Sequence, residues 1–288
     1  MKKVSLFNQV AAISSGIFLF LAVLLGVSHA ADIAAEYRFQ TLSVPDARHT
    51  ISYGINNLGD VVGVSIDCDF CQPQAFLFSD NQYYDLAVAG ASHLTPFGIN
   101  KAGLIACTLS VGGRQQACLM DDTQTIVLDQ AIRADSVNNH GAAVGYLSTS
   151  TFNQLAYKWK DGVYKTLAMP AGILGSAATG IAGNGDIVGY WFTDVDGVNV
   201  KIQGFVRKKG VLNPIDIIPL GVNADGVIVG LAGAGNDGAV LQDGVVTLIK
   251  VPGADYTQVH GINAKGHIVG YYIKAGQNYG FIGKPVKR

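Results

Sequence analysis

Gly261-Ile262-Asn263-Ala264-Lys265-Gly266-His267-Ile268-Val269-Gly270 decides the fold, because it is one of six near copies along the chain. The other blocks begin at Gly54, Gly98, Ser136, Gly180 and Gly221. Positions 56, 100, 138, 182, 223 and 263, equivalent to the asparagine of this stretch, lie 44, 38, 44, 41 and 40 residues apart. So narrow a spread means one structural module per interval.

The last module is the easiest to read. Thr257 to Asn263, His267 to Ile273 and Tyr279 to Gly283 are apolar or aromatic runs separated by turn formers, and so three strands. Earlier units add a fourth, such as Gly162 to Leu167 or Gly244 to Ile249, after polar turns like Lys160-Asp161 and Gln242-Asp243. With the strands named A to D, the Asn-x-x-Gly between A and B suits a three-residue hairpin whose glycine has positive φ. Gly59, Gly103, Gly141, Gly185, Gly226 and Gly266 hold that place. They are read as turn glycines and not as a phosphate cradle, since no helical periodicity follows.

Four antiparallel strands in about 41 residues, six times over, predict an all-β chain forming a six-bladed β-propeller of four-stranded antiparallel blades. The final unit lacks its D strand, and Tyr37 to Pro45 resembles the D strand and exit at Val245 to Pro252. The N-terminal strand is therefore expected to close the last blade, leaving no partial blade unpaired as an open solenoid would.

The same alignment explains two cysteines. Five units end the Ile-Val-Gly signature in glycine, at Gly63, Gly145, Gly189, Gly230 and Gly270, and have Phe76, Tyr157, Phe205, Ala239 and Phe281 one strand later. The remaining unit has Cys107 and Cys118 at these places, around a Gly112-Gly113 hairpin that sets them opposite each other. A disulfide is expected there, with aromatic rings over the bare glycines of the other blades. Cys68-Asp69-Phe70-Cys71, in a B-to-C loop, is read as a local structural disulfide; the alternatives are a metal site with Asp67 or Asp69 and a redox role.

Lys2 and Lys3, the apolar run from Gly16 to Val27 and Ser28-His29-Ala30 read as a signal peptide over residues 1–30, cleaved after Ala30. A single domain over 31–288 with no later membrane span is expected, in the periplasm or secreted. Its 18 basic and 21 acidic side chains contain no run of like charge, which excludes nucleic acid and anionic membrane as natural partners. Glycine, at 36 of 288 residues, is far above the usual ~7%, and its regular recurrence indicates tight turns.

Signatures of chemistry are missing from the pattern. There is no Gly-x-Ser-x-Gly, no His-Glu-x-x-His and no acid recurring at one repeat position, so no catalytic, cofactor or metal residues are assigned. Asp194 to Asn199 faintly resembles a calcium loop but lacks its order and distal glutamate. In a propeller the D-to-A and B-to-C connections share one face, and their variable residues are the default binding candidates. These are His49, His93 and Tyr256 at equivalent D-to-A positions, with Asp67, Asp69, Trp191, Asp194 and Asp196 in B-to-C segments. His140 and His267 belong to the opposite end and are left out.

The repeated block, together with Gln-Ala-Phe-Leu-Phe at Gln74 to Phe78 and Pro-Gly-Ala at Pro252 to Ala254, resembles the bacterial extracellular HAF repeat family. Where that family has His-Ala-Phe, this chain has Gln-Ala-Phe, Gln-Ala-Cys, Leu-Ala-Tyr, Gln-Gly-Phe and Tyr-Gly-Phe. The resemblance implies a secreted bacterial repeat protein with no established activity and no catalytic residues to carry over. Three readings follow: a non-enzymatic, monomeric scaffold binding a glycan, a peptide or an envelope protein; a hydrolase or lyase of the six-bladed lactonase or sialidase kind; or a purely structural envelope protein.

Overall fold

The computed structural model describes residues 37–68, 71–148, 154–195, 199–232 and 237–286. The segment expected to be a signal peptide, Asp69 and Asp196 lie outside these. The first strand, β1 (Tyr37–Leu42), is followed by blade 1, made of β2 (His49–Ile55), β3 (Val61–Ile66), β4 (Gln74–Ser79) and β5 (Gln82–Leu86). Blade 2 has β6 (His93–Ile99), β7 (Ile105–Val111), β8 (Arg114–Met120) and β9 (Thr125–Leu128); blade 3 has β10 (Ala131–Val137), β11 (Ala143–Ser148), β12 (Gln154–Lys160) and β13 (Val163–Thr166). Blade 4 consists of β14 (Ile173–Ile181), β15 (Ile187–Asp194), β16 (Val200–Lys208) and β17 (Val211–Ile215), and blade 5 of β18 (Ile217–Val222), β19 (Ile228–Ala232), β20 (Gly238–Gln242) and β21 (Val245–Ile249). Blade 6 takes β22 (Tyr256–Ile262), β23 (Ile268–Lys274) and β24 (Gln277–Pro285) from the end of the chain.

Its fourth strand is β1, in the sheet order β1-β24-β23-β22. Gln40 faces Ile282, Thr41 faces Phe281 and Leu42 faces Gly280, so the two ends of the chain are tied through a full antiparallel ladder. The result is the closed six-bladed β-propeller expected from the repeat. The innermost strands β2, β6, β10, β14, β18 and β22 touch one another in turn around the axis. Apolar clusters fill the spaces between neighbouring blades; Leu42, Ile55, Phe76, Val269 and Ile282, for instance, seal blade 6 to blade 1.

The hairpin glycines all have positive φ, from 72° at Gly266 to 110° at Gly59. Asn56 shows what the asparagine before them does. Its Oδ1 accepts from the backbone N–H groups of Leu58, Gly59 and Asp60, which holds the A-to-B turn. Its Nδ2 donates across the blade boundary to the carbonyl of Asn100 at 3.2 Å. Asn100 donates likewise to the carbonyl of Asn138, Asn138 to Ala182, Asn223 to Asn263, and Asn263 back to Asn56 at 2.9 Å. One residue type thus locks its own turn and the next blade, and five links of a six-link belt are made. The missing link starts at position 182, where alanine has no amide to donate.

Glycine at the end of the B-strand signature has a cause beyond the ring above it. Phe76, Tyr157, Phe205 and Phe281 do sit directly opposite Gly63, Gly145, Gly189 and Gly270. A Cβ at these glycines would overlap the carbonyl oxygens of Ile51, Arg133, Ala177 and Gln258 on the A strands. Cys107 and Cys118 are paired in register and bonded, with Cα atoms 4.9 Å apart. Cys68 and Cys71 are bonded too, at 5.0 Å.

A chain beginning at residue 45 is expected to lose the cooperative thermal transition of the full domain and to associate through the bared edge of β24, as read by calorimetry and size-exclusion chromatography. A monomeric, normally melting product would contradict closure by β1. Replacing Cys107 and Cys118 together by alanine should lower stability by about 2–3 kcal/mol, measured as a shift in denaturant midpoint; no shift would show that the bond adds nothing to that blade.

Candidate functional site

Each A strand has, just before its repeat block, a residue that its partner B strand cannot match; β10 and β14 have a second such slip nearer their start. The pairing slips between Ser52 and Gly54, Pro96 and Gly98, Ala134 and Ser136, Ala178 and Gly180, Pro219 and Gly221, and Val259 and Gly261. The extra residues are Tyr53, Phe97, Asp135, Thr179, Leu220 and His260. A β-bulge leaves its extra residue unpaired and re-aims its side chain. Here all six line a single axial cavity of about 140 Å3. The strand ends and A-to-B turns complete its wall, so the cavity lies at the turn end of the ring.

In five of the six blades a glycine stands just after the bulge, Ser136 taking its place in blade 3, and it lets the inner strands come this close. A Cβ on Gly54 would stand 2.7 Å from the carbonyl oxygen of Phe97, and one on Gly98 would stand 2.9 Å from that of Asp135. Gly221 and Gly261 abut the carbonyls of His260 and Tyr53 in the same way, so at these four boundaries the position demands a bare backbone.

Rings and charges continue around the wall. His260 stacks on Tyr53 at 4.9 Å, Tyr53 meets Phe97 at 5.3 Å, and the guanidinium of Arg133 lies 3.8 Å over the centre of Phe97. Arg133 then grips Asp135, with Nε and a terminal nitrogen each 2.7 Å from Oδ1. The pair is largely shut off from solvent, its side chains being 18% and 7% exposed. Asp135 Oδ2 and His260 Nε2 are buried and have no hydrogen-bond partner among the described residues. Thr179 donates its hydroxyl to the carbonyl of Pro219 at 2.8 Å. Blades 3 and 6 stand across the axis from each other, so Asp135 and His260 occupy opposite sides of the cavity.

Burial lifts the Asp135 carboxyl to about 6, against the opposing charge and hydrogen bond of Arg133. Burial also pulls His260 down to about 3, with the Arg133 charge acting in the same direction. At neutral pH the cavity floor therefore carries a compensated ion pair and an uncharged imidazole.

The residues singled out from the sequence lie elsewhere. His49, His93 and Tyr256 begin β2, β6 and β22, at the far end of the A strands. His49 Nδ1 accepts from the backbone of Asn278, and His93 Nε2 is 2.8 Å from the Thr95 hydroxyl. Burial lowers the His93 value and pushes that of Tyr256 up to about 12. Asp67 and Asp194 are exposed. Trp191 is not a loop residue: it lies within β15, 8% exposed and stacked on Phe205. None of these residues lines the axial cavity, which opens at the opposite end of the ring. Of the faint calcium-loop segment, residues 196–198 are outside the described residues; Val195 bonds back to the carbonyl of Asn199. No group of three or more His, Cys, Asp or Glu that could hold a metal ion occurs among the described residues. No helix among them is long and apolar enough to cross a membrane.

No family model and no curated protein matches the chain. Solved structures do. An aldose sugar dehydrogenase from Streptomyces coelicolor, in its PQQ-bound form, aligns with 87% of this chain and 98% of its own at 11% identity and a TM-score of 0.50. A virginiamycin B lyase from Staphylococcus aureus aligns over 88% and 90% at 13% identity and 0.44, and the β-propeller domain of the trilobed protease from Pyrococcus furiosus over 84% and 97% at 11% and 0.47. At such identity the likeness is one of fold.

The floor couples stability to pH through two opposing groups. The folded value of His260 lies below its ordinary 6.5, so its contribution is complete above that pH and is lost as pH falls toward 3. Asp135 acts with the opposite sign, its contribution being complete below its ordinary 3.8 and lost as pH rises through about 6. The two slopes oppose each other and largely cancel between about pH 4 and 6, so the wild-type denaturant midpoint should change little across that range. His260→Phe, which keeps a ring on Tyr53, leaves only the Asp135 slope, so its midpoint should rise as pH falls from 6.5 to 4; parallel pH profiles for the two proteins would refute this assignment.

Proposed function

We propose that this chain is an exported, non-enzymatic propeller of the HAF repeat kind that binds its ligand at the axial mouth on the A-to-B turn face. One observation carries the reading: the same bulge in every blade aims a different side chain into one cavity. The scaffold around the bulges is repeated, while Tyr53, Phe97, Asp135, Thr179, Leu220 and His260 differ from blade to blade. A uniform structural axle would have no need of such variety.

Binding is favoured over turnover because two polar groups of the floor are engaged in holding it, and the two unpartnered ones, on Asp135 and His260, stand on opposite sides of the cavity instead of forming an adjacent acid-base pair. Asp135 Oδ1 accepts from Arg133, Thr179 donates to the Pro219 carbonyl, and the His260 ring is stacked on Tyr53. The enzyme reading called for two or more of His49, His93, Asp67, Asp194 and Asp196 to share a cavity; the first four are not in the wall of this one, and Asp196 lies outside the described residues. Export is supported by the apolar leader after Lys2 and Lys3, and by two disulfides, which persist in oxidising compartments.

The domain from residue 31 onward, screened on arrays of immobilised glycans and peptides, should retain at least one of them. Leu220→Trp, which fills the mouth from blade 5, should abolish that retention while leaving the melting temperature within a few degrees. Undiminished retention by this variant, or turnover of the retained molecule, would overturn the reading.

A further inference from the structure

The gap in the asparagine belt opens onto the same cavity. Ala182, Gly183, Asn223 and Ala224 form the wall between blades 4 and 5, where a sixth amide would otherwise donate to the Asn223 carbonyl. Asn184 makes a substitute bond one residue further out, to the carbonyl of Ala224 at 3.1 Å. The Asn223 carbonyl itself accepts the turn bond from Gly226, but it has no belt partner. A carbonyl oxygen has two lone pairs and, when buried, is better satisfied by a second donor.

Two further polar atoms by the cavity share this condition. Asp135 Oδ2 is an acceptor on a side chain more than nine-tenths buried, and His260 Nε2, on an uncharged ring, either accepts or donates according to its tautomer. The carboxylate reorients readily about its last torsion, which is broad for aspartate. Size and charge narrow the occupant. A cavity of about 140 Å3 compares with the ~150 Å3 site that holds one benzene ring, so one six-membered ring fills it. Arg133 already neutralises Asp135, so a cation finds no uncompensated charge on the floor, and an anion would meet the carboxylate.

We propose that the axial mouth binds a single neutral, hydroxyl-bearing ring the size of one sugar unit, with one hydroxyl donating to the Asn223 carbonyl in the belt gap and others meeting Asp135 and His260. This rests on the mouth being the binding site, and deepens that reading by naming the ligand class and the position that selects it. Donors on the ligand take the place of the amide absent at position 182.

The test uses the domain from residue 31 with glucose, galactose, mannose and N-acetylglucosamine as neutral probes, and glucosamine and glucuronate as charged ones, followed by calorimetry and saturation-transfer NMR. At least one neutral sugar should bind, at least tenfold more tightly than either charged probe. Ala182→Asn, which supplies the missing amide, should weaken it at least tenfold while holding or raising the melting temperature. Should that variant fail to fold, Ala224→Leu narrows the same gap from the exposed rim and should have the same effect on binding. Absence of neutral-sugar binding, tighter binding of a charged probe, or unchanged affinity with the gap filled or narrowed would each overturn the inference. If such a result came with retention on the arrays that Leu220→Trp still abolished, the mouth would remain the site and only the ligand class would fall.

Discussion

Everything in this ring depends on the asparagine at the A-to-B turn, whose side chain bonds in two directions. Its carbonyl holds a hairpin together and its amide reaches the neighbouring blade, so the local turn and the global closure share one residue. The asparagines concerned are 3–6% exposed, and an amide buried to that extent costs stability unless both ends are bonded. Five cooperating links hold the inner strands at a fixed separation, and the glycines after the bulges make that separation possible. Larger residues at Gly54 or Gly261 would force the strands apart and break the amide bonds with them.

The bulges turn this constraint into a site. An extra residue in each inner strand cannot join the ladder, and its neighbours are pressed against the next blade. The axis is the open direction. Because the bulge residue has little to do with holding the blade, it is free to vary, and the cavity acquires a composition that the repeat does not dictate. Aromatic rings of blades 6, 1 and 2 run into the Arg133–Asp135 pair of blade 3, while blades 4 and 5 contribute a small hydroxyl and a leucine. The mouth is therefore lopsided, with aromatic and charged groups on four consecutive blades and only a threonine and a leucine on the other two.

How much of the site could be read in advance differs from residue to residue. The Cys107–Cys118 pairing followed from the hairpin, since register in a two-residue turn leaves no freedom. Trp191 lies inside a strand because β15 runs on to Asp194, further than the turn signals suggested, and packing against Phe205 buries its ring. The bulge residues carry one signal in the sequence: the position just before each repeat block is Tyr, Phe, Asp, Thr, Leu or His, while the residues after it hardly change. Variation beside constancy marks a surface that the scaffold does not need.

The sequence by itself determined the blade, the number of blades, the closure and the disulfide of blade 2, because each follows from local periodicity, turn chemistry or register. Tertiary structure alone decided which end of the ring carries the cavity and which residues face it. A bulge shows no change of hydrophobic period that would announce it, and the convergence of Asp135 with His260 joins residues 125 positions apart. That pairing exists only because six sheets close around one axis and set blades 3 and 6 across from each other.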